Sequence, residues 1–102
     1  LAAGVAAARS AVALRPDLAD MHLQLAFALT MSKAPMAEIL AAFRRALELA
    51  PQDTVIRANY CKTLIAAGRR DEAIAEAGLL YPVPRYMSEA ELTTIVNGLR
   101  AA

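Results

Sequence analysis

The chain repeats itself at an offset of 35 residues, and this limits its fold more than any other feature of its 102 residues. With Ala19, Thr54 and Glu89 in register, the fourth positions are His22, Arg57 and Leu92, and the seventh are Leu25, Tyr60 and Ile95. The eighth are Ala26, Cys61 and Val96, and the eleventh Leu29, Leu64 and Leu99. Apolar residues at positions seven, eight and eleven share one face of a helix. Pro16 and Pro51 keep the same offset, as do Ala8 with Phe43, Ala11 with Ala46 and Leu14 with Leu49. A period of this length marks stacked helical hairpins, none of which can hide its apolar face alone.

The hairpin is clearest from Thr54 to Tyr81. Tyr60, Cys61, Leu64 and Ile65 form one helical face, Gly68 breaks it, and Ala73, Ile74, Ala77, Leu80 and Tyr81 form the next. A glycine where a helix ends, followed by Asp71-Glu72 where the next begins, favours a reversal over one long helix. Before it, Leu1 to Arg15 is predicted helical, with Val5, Ala8, Ala11 and Val12 on one face, until Pro16 stops it. Asp17 is expected to cap a helix from Leu18 to about Met31, whose stripe is widened by Leu23 and Phe27. Pro35 suits the first turn of a helix running to about Leu49 through Ile39, Leu40, Phe43, Ala46 and Leu47. Tyr81 to Met87 contains Pro82 and Pro84 and reads as an extended connector. Ser88 and Glu91 then form a capping box for a last helix, with Leu92, Ile95, Val96 and Leu99 inward.

Composition agrees. Apolar residues make up 58% of the chain but aromatics only 5%, so burial falls to alanine and small aliphatic side chains in helices. The net charge of +1 gives no electrostatic ground for nucleic acid as a partner. No apolar run approaches the ~20 residues that span a bilayer. The stretch from Leu1 to Leu14 lacks the basic start of a leader peptide, so the chain reads as soluble and cytoplasmic.

The triplets Leu25/Ala26/Leu29 and Tyr60/Cys61/Leu64, with Gly68, Ala73 and the segment from Phe43 through Ala46, Leu47, Glu48, Leu49 and Ala50 to Pro51, resemble the tetratricopeptide repeat family. The resemblance covers residues 1 to 81, and the last helix only in its apolar spacing. It departs at His22 and Arg57, where the family carries an aromatic residue, and at Ile39 and Ala77. It implies an all-α, right-handed solenoid of antiparallel helical hairpins, about six helices with a C-terminal capping helix. One domain is expected over 1–102. Its parts are a second helix of a partial repeat at 1–16, repeats at 17–51 and 52–84, and the capping helix at 88–101.

Catalytic chemistry finds little support. His22 is the sole histidine and has no nucleophile placed beside it, so a half-buried or exposed helix histidine is the expectation. Cys61 aligns with Ala26 and reads as a packing residue. It is the only cysteine, so neither an internal disulfide nor a cysteine-histidine zinc set is available. No phosphate loop or nucleophile elbow is present. No enzyme activity, cofactor or metal is therefore expected.

What remains is a surface. In the resembling family the first helices line a concave groove, and the matching positions here are Asp20, Leu23, Gln24, Phe27, Thr30 and Met31, then Val55, Ala58, Asn59, Lys62, Ile65 and Ala66. Leu23 and Phe27 replace the polar residues with which some members clamp a peptide carboxylate. The expectation is a scaffold that binds a protein or peptide, through Leu23, Gln24, Phe27, Met31, Asn59, Lys62 and Ile65, without nucleic acid or membrane insertion. Two alternatives stand beside it. One is a structural or regulatory arm of a larger bacterial enzyme, such as a glycosyltransferase or sulfotransferase; the other is self-association into a homo-oligomer.

Overall fold

Helix stops in the sequence become turns in the computed structural model, which describes residues 2–79, 83 and 86–101. These residues form six α-helices and no strand: α1 (Ala2–Leu14), α2 (Ala19–Met31), α3 (Met36–Leu49), α4 (Thr54–Ala66), α5 (Arg70–Gly78) and α6 (Glu89–Ala101). They group into two compact units, Leu1–Gln52 and Asp53–Ala102. Leu80 and Tyr81, expected to extend the apolar face of α5, and Pro82 and Pro84 of the connector lie outside the described residues.

In the first unit α1 and α3 both pack against α2. The core is built from Leu25, Ala26 and Leu29 of α2 with Ile39, Leu40, Phe43, Ala46 and Leu47 of α3, all buried. Spacing of three and four residues puts each set on one side of its helix, so burying that side against the partner removes several large apolar side chains from water, roughly 1.5–3 kcal/mol for each. The α1 face is shallower: Val5, Ala8, Ala11 and Val12 are half-buried, and Leu14 at its end is 80% exposed. Leu14 therefore does not share the environment of half-buried Leu49, with which the register aligns it.

Asp17 does not cap α2. The N-cap is Leu18, with no side-chain bond to the helix, and Asp17 instead accepts from Arg15 Nε and Nη2, both at 3.2 Å. That hydrogen bonding holds the Asp17 carboxyl below its ordinary range. The register explains the miss. Asp53 aligns with Leu18, and Asp17 sits one residue too early to reach the first free N–H groups.

In the second unit α4 packs against both α5 and α6. Asp53 caps α4 by accepting from Val55 N at 3.0 Å and Ile56 N at 3.1 Å. Gly68 closes the same helix in the left-handed region, φ 75°, while Arg69 N reaches back to Leu64 O at 2.8 Å. Ser88 caps α6, which is the serine half of the expected capping box: Glu91 N donates to Ser88 Oγ at 3.2 Å, while the Glu91 carboxylate takes the Ser88 hydroxyl, Oγ to Oε1 at 3.3 Å. Leu92 and Val96 of α6 are fully buried, so Val96 packs inward despite being larger than the Ala26 and Cys61 it aligns with.

Candidate interaction surfaces

All three fourth positions point inward, and in the two complete units they carry polar groups. His22 is 8% exposed, with Nε2 bonded to Pro16 O at 2.9 Å. The expectation of an exposed or half-buried histidine is corrected accordingly. The carbonyl can only accept, so Nε2 donates and the histidine ties the α1–α2 turn to α2. Arg57 is 9% exposed and meets Glu76 of α5, Nη1 to Oε1, at 2.8 Å. Leu92, in the same register, is the apolar residue that marks this position as inward.

Cys61 is fully buried beside this pair. Burial, reinforced by the Glu76 charge and opposed by Arg57, pushes its thiol up to about 12. A thiol so placed is a poor nucleophile, since thiolate is the reactive form. Among the described residues no group of three or more His, Cys, Asp or Glu side chains is arranged to hold a metal ion. None of their helices is long and apolar enough to cross a membrane.

Four of the expected groove residues lie on α2 in the first unit. Gln24 is exposed and Met31 is 70% exposed, while Leu23 and Phe27 are half-buried. Phe27 also has a packing role: its ring meets Phe43 of α3 edge-on, with centroids 6.1 Å apart. Thr30, on the same helix, returns its hydroxyl to Ala26 O at 2.8 Å. The other three lie on α4 in the second unit. Lys62 is exposed, Ile65 half-buried and Asn59 buried, its amide nitrogen donating to Val55 O at 2.9 Å. Ala58, a groove position by family resemblance, is fully buried.

A further surface was not legible in the sequence. In the first unit, α1, the C-terminal end of α2 with the turn after it, and the start of α3 enclose an open hollow of about 710 Å³, lined partly by Val5, Arg9, Leu29, Lys33 and Glu38 and also by Met31 of the expected groove. Arg9 and Glu38 approach across it to 3.9 Å, both about half exposed. The residues come from three helices, and no local pattern joins them.

Residues 36–80 match the family model of the tetratricopeptide repeat. This match supports a tetratricopeptide repeat over that stretch. The match runs through α3, α4 and α5, and the 35-residue register carries the same helix pattern into α2 and α6. Tetratricopeptide repeats are protein-interaction modules and are generally non-catalytic. No curated protein and no solved structure matches the chain.

Proposed function

We propose that the chain is a non-enzymatic protein-interaction scaffold of the cytoplasm, acting as one domain that binds a peptide or partner helix along α2. The observation carrying this reading is the row Leu23, Phe27 and Met31, spaced one turn apart, which ends in a methionine left 70% exposed although the other side of the helix is buried. A large, adaptable apolar side chain in water at the end of a rigid helix is suited to a partner's apolar anchor. Gln24 beside it offers directional hydrogen bonds. Lys62 and Ile65 give α4 a comparable mixed face, and Asn59 supports it from a buried position, its amide tied to Val55.

The test is selection of binders from a displayed peptide library, followed by variants. Peptides with apolar anchors at helical spacing are expected, and Met31→Glu or Leu23→Glu is expected to weaken them at least about tenfold, with Ser10→Glu on α1 as the control. Selected peptides indifferent to both substitutions would remove α2 from the site. Phe27→Glu is a poorer test, because it also breaks the ring contact with Phe43.

A further inference from the structure

Two repeats bury a basic side chain at the fourth position, but only one of them supplies a carboxylate to it. In the second unit that side chain is Arg57, a permanent cation, and Glu76 of α5 meets it at 2.8 Å. In the first it is His22, 8% exposed, whose Nε2 donates to Pro16 O at 2.9 Å. Helices α3 and α5 bury residues at one spacing: Ile39, Leu40 and Phe43 in α3, Ala73, Ile74 and Ala77 in α5. Glu76 stands just before Ala77, and its counterpart just before Phe43 is Ala42. With a methyl group in place of a carboxylate, His22 and Ala42 line a hollow of about 270 Å³, together with Arg9, Glu38 and Arg45.

Glu38 is the carboxylate on that lining. It precedes Ala42 by one helical turn and so shares its side of α3. Its partner is Arg9, the only charged side chain of α1, at 3.9 Å with both side chains about half exposed. A separation that long between solvated groups holds weakly, so the carboxylate exchanges readily. The other charges around His22 are committed or in water. Arg45 of α3 is engaged by Glu48 at 3.4 Å, Arg15 and Asp17 beside Pro16 bind each other at 3.2 Å, and Asp20 of α2 itself is exposed.

Histidine is the side chain whose charge changes between about pH 5 and 8. Protonation gives His22 a second N–H, on Nδ1, while Nε2 keeps its bond to Pro16 O. A buried cation needs a carboxylate, as Arg57 does. We propose that Glu38 is a pH-sensitive latch: above neutrality it holds Arg9, and with it α1, whereas in mild acid it turns into the hollow and pairs with protonated His22. The proton comes from solvent, the carboxylate changes partner, and Arg9 is released to water. Helix α1, whose apolar face is only half-buried, then opens more readily.

His22 is the sole histidine, so its ring signals in nuclear magnetic resonance are unambiguous. The chain is titrated from about pH 8 to about pH 5.5, above the range in which glutamate itself takes a proton. Glu38→Gln is expected to lower the proton affinity of His22 about threefold, and Ala42→Glu, which restores the carboxylate that α5 carries, to raise it at least as much. Hydrogen exchange of the α1 amides, corrected for the intrinsic rate, is expected to quicken about threefold in acid for the unaltered chain. It is expected to be fast already at the alkaline end in Glu38→Gln, and to lose its pH dependence in His22→Gln and Ala42→Glu. Circular dichroism establishes that each variant keeps its helices. An unchanged His22 titration in Glu38→Gln, α1 exchange in the unaltered chain that ignores acid, or the same acid response in His22→Gln would each overturn the proposal.

Discussion

Arg57 Nη1 and Glu76 Oε1 meet at 2.8 Å across the α4–α5 hairpin, with the arginine side chain 11% and the glutamate side chain 26% exposed. Charges this far from water attract strongly but cost a great deal to leave alone. Glu76→Ala, which removes this carboxylate from Arg57, is expected to lower unfolding free energy by about 1–3 kcal/mol, and Arg57→Leu with Glu76→Leu by much less. Urea denaturation of the single and double variants measures the coupling.

Capping separates the two units in a way that can be engineered. Asp53→Ala removes the acceptor for Val55 N and Ile56 N and is expected to cost about 1 kcal/mol. Leu18→Asp supplies to α2 the cap it lacks and is expected to add a comparable amount, since Leu18 is 37% exposed and surrenders little burial. Thermal unfolding of both variants checks the opposite signs.

Lys33→Gly is expected to stabilise the chain by about 0.5–1 kcal/mol through relief of positive φ, partly offset by the greater freedom of glycine when unfolded. Gly68→Lys is expected to destabilise it, because it introduces at the α4–α5 turn the strain already present at the α2–α3 turn. Chemical denaturation of the pair tests whether the register extends to backbone conformation.

Cys61 gives a pH dependence of definite sign. In the unfolded chain the thiol ionises near about 8.5, whereas in the fold burial pushes it up to about 12. Its contribution to stability is complete below the unfolded value and is lost as pH rises through the window up to about 12. Cys61→Ala is expected to flatten that alkaline loss, and a thiol reagent at neutral pH to modify native Cys61 only as fast as the protein opens. Rapid labelling of the native chain would contradict the buried placement.

Most of the helical layout was legible because alanine-rich helices with strict spacing leave few other arrangements: Gly68, Pro16 and Pro51 punctuate, and positions eight and eleven of the repeats are inward. The buried fourth position was also available, through Leu92 in register with His22 and Arg57, but histidine and arginine disguise it when taken one at a time. Asp17 misled because a capping residue must stand at one particular position, and its neighbour Arg15 offered another partner. The hollow beside Leu29 was hidden for a different reason. Its lining comes from three helices and the α2–α3 turn, and only their packing brings Arg9, Lys33 and Glu38 together.

The central claim is that α2 presents an interaction face, and amide chemical-shift mapping of the labelled chain with a library-selected peptide tests it most directly. The account predicts perturbations concentrated at Leu23, Gln24, Phe27 and Met31. Perturbations confined to exposed Leu79 and Tyr86 of the second unit, with α2 unmoved, would contradict it.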